Sequence, residues 1–314
     1  MTINNMYYPI LRARQFELIA LRELAENKKT QKFVTPILEP VRTSFNGLNI
    51  AHKILKQHKQ FAYLIVNPEV GETGYGVSYL EYLKKLGDDR VYLPAFRYDP
   101  KIQNNIQQYN LNNCLLICDD DIDDEDTNFK ELAKQGEVSK FGIYGTNRNR
   151  SLVRYLKSLQ KPCIRIDDLF KKEQRNSDYL EIDAHKFSEE HLYFNDEGFN
   201  GFSDYTIIPS EYNETGSMPR AVVIHLTYLK ENEQIWIRHF TSTTNDSQAN
   251  VQGKFAEAAK KAVGFCKSEG LNNLAIRELT DIFNKHHYPG LGVNKKIAIK
   301  NHILVVAKYL GSKS

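Results

Sequence analysis

The sequence predicts an α/β fold, a TIM-like (β/α)8 barrel with an added C-terminal β-hairpin and helical appendage. Three observations predict it. Short runs rich in β-branched, aromatic and leucine residues alternate with helical patterns along most of the chain. The strand starts recur at intervals of roughly 22 to 30 residues, the length of one βα unit in an eightfold barrel. No glycine-rich dinucleotide turn follows the first strand, where a doubly wound nucleotide-binding sheet would need one.

Taken in order, "YYPIL" precedes "QFELIALRELAEN", "FVTPILEPV" precedes "NGLNIAHKILKQH", and "FAYLIVNP" precedes "VSYLEYLKKL". Then "VYLPAFRYD" leads into "PKIQNNIQQYN", "CLLICDD" into "DTNFKELAKQ", and "FGIYGTN" into "RSLVRYLKSLQ", while "PCIRIDDLF" opens a seventh unit. The strand starts are Tyr8, Phe33, Phe61, Val91, Cys114, Phe141 and Cys163. Their continuous apolar character is what a parallel sheet buried on both faces demands.

The eighth strand is expected at "DYTIIP", after a long polar excursion, "RNSDYLEIDAHKFSEEHLYFNDEGFNGFS", laid over the barrel mouth; "AVVIHLTY" competes for the role. In the first topology Ser210, Glu211 and Tyr212 occupy the mouth and Asp204 lies near the bottom. In the second Asp204 faces the pocket with His225. Past Pro219, "AVVIHLTYLKENEQIWIRHF" reads as an antiparallel hairpin around a polar turn, and "GKFAEAAKKAVGFCKSEG", "NLAIRELTDIFNKHH" and "KNHILVVAKYL" read as helices. Residues 1–219 are thus the barrel and 220–314 the hairpin and helices packed on it, one continuous domain without a low-complexity linker.

At 314 residues with 41% hydrophobic and 26% charged positions, the chain can bury a sizeable core. A net charge of +3 and a pI near 8.4 are milder than the basic footprint of a nucleic-acid-binding domain, so such binding would have to rest on local patches. The four cysteines form no CxxC pair, and Cys114, Cys118 and Cys163 sit in apolar strand-like runs, which fits a reducing cytoplasm. The N-terminus lacks a signal core, and no apolar run reaches the roughly 18 residues a spanning helix requires, so membrane insertion is disfavoured.

In a barrel, ligand-contacting side chains project from the strand C-terminal ends. The residues there are Arg12 and Arg14, Glu39, Asn67, Arg97 and Asp99, Asp119, Tyr144 and Asn147, Arg165 and Asp167, and Asp204. Glu39 in "PILEPV" is a carboxylate inside an apolar run, so it is either a site acid or base or the structural partner of an arginine such as Arg12 or Arg14. The acidic run "CDDDIDDED" fails as an EF-hand, because Asp124 stands where glycine must turn and Lys130 where a glutamate must close the loop. Asp119 or Asp120 can point to the mouth, whereas Asp123 to Asp126 suit a helix start.

"YGTNRNRSLVRYLK" brings Arg148, Arg150 and Arg154 to a helix start, which suits phosphate or a solvated basic face. The histidines show no HExxH spacing, and His225 and His239 can meet across the hairpin. Lys295 and Lys296 could reach an anion, but "YPGLGVNKK" is not a P-loop. No NAD or P-loop nucleotide motif is present; a divalent metal stays open as a cofactor.

Two readings follow. In an enzyme, Glu39, Asp119, Asp167 and Asp204 supply acid-base or metal-ligand groups while Arg14, Arg97 and Arg148, with Asn67, Tyr144 and Glu211, hold a phosphate-containing or other anionic ligand. In a non-catalytic scaffold the polar strand ends form structural ion pairs. Carboxylates converging on an open pocket support the first, and acids each engaged by a neighbouring arginine support the second.

At "MYYPILRARQFELIALREL", "PILEPVR", "GFSDYTIIPSEY", "AVVIHLTY", "IRHFTS" and "YPGLGVNKKIAIKNH" the chain resembles the beta family, a group of largely uncharacterised proteins of bacteria, phages and mobile elements. The resemblance spans nearly the whole chain and implies a barrel-like α/β fold. It also implies a role in conflict between phage or mobile element and host, beside a nuclease-like protein partner. An anionic small molecule or nucleic acid as ligand stays compatible with it, and it brings no catalytic residue set.

Overall fold

A computed structural model of the chain describes residues 6–28, 30–72, 76–213 and 220–313. Seven strands, β1 (Ile10–Leu11), β2 (Ile37–Leu38), β3 (Ala62–Ile65), β4 (Tyr92–Arg97), β5 (Cys114–Cys118), β6 (Val138–Tyr144) and β7 (Cys163–Asp167), pair in parallel in chain order. β8 (Ala184–Ser188) leaves this sheet, and β9 (Gly201–Asp204) pairs with β7. Tyr7 bridges both Val34 and Phe202, which closes the ring between the first strand and the last. The fold is a (β/α)8 barrel.

Helices α1 (Gln15–Ala25), α2 (Asn46–Gln57), α3 (Gly76–Leu86), α4 (Ile102–Gln108), α5 (Thr127–Lys134) and α6 (Arg150–Ser158) follow the first six barrel strands, and the single turn α7 (Glu190–Tyr193) lies between β8 and β9. Because strand side chains alternate between faces, one set, including Ile10, Ile37, Ile65, Ala95, Ile117 and Ile166, fills the barrel interior. The other set, including Leu11, Leu38, Leu64, Phe96, Leu116 and Phe202, packs outward beneath the helices.

The eighth strand differs from expectation. It is Gly201–Asp204, and "YTII" turns away, with Thr206 at φ 58°. A Cβ on Gly201 would stand 2.7 Å from the Tyr8 ring and 3.0 Å from the Met6 carbonyl oxygen. Only glycine lets the last strand approach the first this closely, which is why the strand begins there. Asp204 therefore sits at the end of the strand, in register with Asp167, and not near the bottom.

The long excursion is likewise not a lid. Its β8 pairs antiparallel with β11 (Ile235–Thr241), itself paired with β10 (Val223–Leu229), giving a three-stranded side sheet where a hairpin alone was expected. Helices α8 (Val251–Ser268) and α9 (Leu274–Asn284) cover that sheet with Phe255, Ala259, Ala262 and Leu279. The last helix, α10 (Leu291–Ser312), is buried on nearly every side, its polar Asn294, Lys296, Lys300, Asn301 and His302 included. It packs on α1 and β10, so it joins barrel and side sheet.

Lys295 and Lys296, candidates for an anion, serve this junction instead. Lys295 Nζ donates to Glu17 at 2.8 Å, and Lys296 Nζ meets Glu23 and Glu278 at 2.7 Å each. In the acidic run, Asp126 caps α5 by accepting from the Asn128 N–H at 2.9 Å, and its other oxygen accepts from the Tyr98 hydroxyl at 2.8 Å. These bonds hold the Asp126 carboxyl below its ordinary pKa. Replacing Asp126 with alanine should lower the melting temperature slightly and leave ligand binding intact; loss of binding in a folded variant would place this end of the run in a site.

Candidate functional site

At the barrel mouth the inward positions after the apolar layers are Arg12, Glu39, Asn67, Arg97, Asp119 and Tyr144, the next residues of the period-2 alternation. Glu39 is 0% exposed, and both of its oxygens are engaged, one by the Arg12 guanidinium and the other by Arg97 Nε at 3.2 Å. Arg97 also reaches Asp119 at 3.5 Å and Glu69 at 3.7 Å, and lies over the Tyr144 ring, 5.6 Å from its centre. Burial works against the Arg97 charge, but Tyr144 and Glu39 outweigh it and keep its pKa above the ordinary value. Burial raises the Asp119 carboxyl, with Arg97 opposing.

Asn67 spends its amide on the backbone N–H and carbonyl of Arg97, at 3.0 and 2.8 Å. It therefore positions that arginine. Tyr144 shares a short hydrogen bond with the Tyr205 hydroxyl. The segment after β9 folds over the mouth: Tyr205 lies beneath Arg12, Ser210 accepts from Arg12 through its carbonyl, and Ser210 donates to Asp168. Tyr205 was missed in the sequence, although it continues the inward alternation Gly201, Ser203. Glu211 is exposed and 3.5 Å from Lys172, and Arg148 is exposed and 3.0 Å from Asp120.

Two candidate acids lie outside the mouth. Arg165 and Asp167 alternate with the inward Ile164 and Ile166, so they face outward, where Arg165 binds Asp167, Glu190 and Glu197 at 2.7, 3.0 and 2.6 Å. Burial first, then Asp167, pushes the Glu190 carboxyl up to about 7. Asp204 also faces outward, beside Phe202 and against α10. It accepts from the Tyr7 hydroxyl at 2.7 Å, the Thr206 N–H at 2.7 Å and His302 Nε2 at 3.3 Å.

Because an ionised carboxylate only accepts, His302 presents Nε2–H to it, and its Nδ1 lies 3.2 Å from the Thr227 hydroxyl. Asn301 donates to the Thr227 carbonyl at 2.8 Å. The stretches "MYYPIL", "GFSDYT", "AVVIHLTY" and "IAIKNH" thus meet in one buried polar network at the seam of barrel, side sheet and α10.

A separate cleft of about 430 Å³ opens on the same face, between the loops after β1 and β2. Arg14, Arg22 and Arg42 line it with Ser44, over a floor that includes Leu18 and Val41, and among the described residues no carboxylate lines it. Residues of the first turns of α1 and α2, Gln15 and Gly47 among them, border it. Arg22 leaves its buried Nε without an acceptor. Arg14 lies 6.0 Å from the centre of the Tyr212 ring, and Arg42 is paired with Glu72 at 3.0 Å. Arg42 follows the second strand and was open to the strand-end argument; Arg22 lies a full two turns into α1, where nothing in the sequence marks it.

Across the side sheet His225 Nδ1 and His239 Nδ1 stand 2.7 Å apart, the contact expected from the hairpin, and His185 of β8 joins at 3.4 Å. Among the described residues no group of three or more His, Cys, Asp or Glu is arranged to hold a metal ion, and no helix is long and apolar enough to cross a membrane. No family model and no curated protein matches the chain. Among solved structures, a mandelate racemase/muconate lactonizing protein from Herpetosiphon aurantiacus is similar at 8% identity and a TM-score of 0.40, over 76% of this chain and 65% of that one. The chain therefore spans just under two thirds of that protein's length.

Proposed function

We propose that this protein is a non-catalytic binding barrel that takes a phosphate-containing or similar anion in the arginine cleft after β1 and β2. One observation carries the reading: three arginines and two helix starts border a cleft that no carboxylate lines among the described residues, and the buried Nε of Arg22 has no partner. Guanidinium groups and helix N-termini are the donors that recognise phosphate oxygens. The four candidate acids argue against hydrolysis, since Glu39 and Asp119 are engaged by Arg97, Asp167 by Arg165, and Asp204 by His302. The setting, conflict between a mobile element and its host beside a nuclease-like partner, is supported by the resemblance to the beta family, and a cytoplasmic place by the four free, buried cysteines.

Titration calorimetry with inorganic phosphate and pyrophosphate tests the reading. Binding should appear for at least one anion and weaken about tenfold or more in an Arg14→Ala, Arg42→Ala double variant, whose two altered residues are on the surface. An absence of heat with both anions, equal affinity in the variant, or cleavage of pyrophosphate by the purified chain would each sink it.

A further inference from the structure

A second cavity, of about 300 Å³, lies between the segments that follow β7 and β9, strand β10 and the first turns of α10. Its walls are mainly apolar and aromatic, with Phe170, Ile207, Tyr179 and Ala298 among them, and Asn294 and His225 reach it from α10 and β10. Asn294 is 8% exposed. Its Nδ2 donates to the Val223 carbonyl at 2.9 Å, and because a carbonyl can only accept, this bond fixes which way the amide points. The amide oxygen is then the atom left over, and it is buried without a partner. Buried acceptors are nearly always satisfied, so an orphan on a cavity wall marks the place where a donor belongs.

His225 supplies a second polar edge. Its Nδ1 is committed to His239, and Phe170 and Tyr179 stand edge-on to its ring at 5.2 and 4.9 Å. Burial, and then the neighbouring imidazoles, push its pKa down to about 3, so the ring is neutral. The ionic groups on the cavity wall, Lys172, Glu173 and Lys295, carry both signs. Both lysines are paired, Lys172 with Glu211 and Lys295 with Glu17, so an anion finds no free lysine on the wall. The volume sits at the small end of ligand pockets.

We propose that this cavity binds a small uncharged heteroaromatic molecule of nucleobase size, whose ring N–H donates to Asn294 Oδ1 while its faces pack among Phe170, Tyr179 and His225. The site is independent of the arginine cleft and asks for the opposite chemistry, a neutral donor in an aromatic slot.

Saturation-transfer NMR on the full chain, with uracil and xanthine as separate probes up to their solubility, tests it. At least one should bind. Its fully N-methylated counterpart, 1,3-dimethyluracil or 1,3,7-trimethylxanthine, keeps the ring but has no N–H and should bind at least about tenfold more weakly. Asn294→Leu, which keeps the side-chain size and removes the acceptor, should lose binding to the same degree; the methylated probes decide the matter if that variant does not fold. Failure of both bases to bind, equal binding of the methylated compound, or undiminished binding by folded Asn294→Leu would overturn the assignment.

Discussion

Glu39→Gln should cost about 3–5 kcal/mol of folding stability, because it leaves two buried guanidinium groups beside a neutral amide. Glu39 has no exposed surface, and Arg12 and Arg97 are nearly as deep, so water cannot replace the lost charge. Removing the whole network should cost far less than removing its centre. A triple variant, Arg12→Met, Glu39→Leu, Arg97→Met, trades desolvated ions for apolar packing, an exchange that is often neutral or stabilising. Urea unfolding of the two proteins against the parent gives both numbers. Anion binding in the cleft should persist in each folded variant, since none of the three residues lines it. A loss below about 1 kcal/mol for Glu39→Gln would mean that the arginines do not depend on this carboxylate, and Glu39 would return as a free acid at the mouth.

Most of the barrel was legible because each βα unit carries its own signal. An apolar run, a polar strand end and an amphipathic helix recur six times, a seventh apolar run follows, and all seven strand starts fall within four residues of those in the structure. The eighth strand was misjudged for a physical reason. "DYTIIP" has the better β-propensity, but "GFSD" has the glycine that lets the last strand reach the first, and ring closure outweighs local preference. Strand-end position alone also could not separate inward from outward residues. Counting alternate positions from the apolar layer does: Ile164 and Ile166 point inward, hence Arg165 and Asp167 point out, and likewise Phe202 outward implies Asp204 outward. The third strand of the side sheet was invisible because "AHKFS" is polar and gains its place only by pairing with β11. The second cavity lies between elements distant in the chain, and no local pattern records such a meeting.

Asp204→Asn should destabilise the protein by about 2–4 kcal/mol at neutral pH, with a pH dependence that identifies the cause. Burial opposes the Asp204 charge, but His302, then the Tyr7 hydroxyl and the Thr206 N–H, outweigh it and lower the carboxyl pKa in the folded state. A carboxyl whose folded pKa lies below its unfolded value of about 3.9 contributes stability that is complete above that pH and disappears as pH falls through the folded value. The difference in unfolding free energy between parent and Asp204→Asn should therefore be constant from neutral pH down to about pH 5 and shrink below about pH 4. Taking the difference matters, because Glu190 acts with the opposite sign. Its pKa, raised to about 7, makes both proteins gain stability from that group as pH falls from neutrality toward the unfolded glutamate value. Chemical denaturation at several pH values reads the difference directly. A gap that stayed constant below pH 4 would mean that the loss comes from altered packing of the asparagine at the seam, and that the charge on Asp204 does not hold the barrel, the side sheet and α10 together.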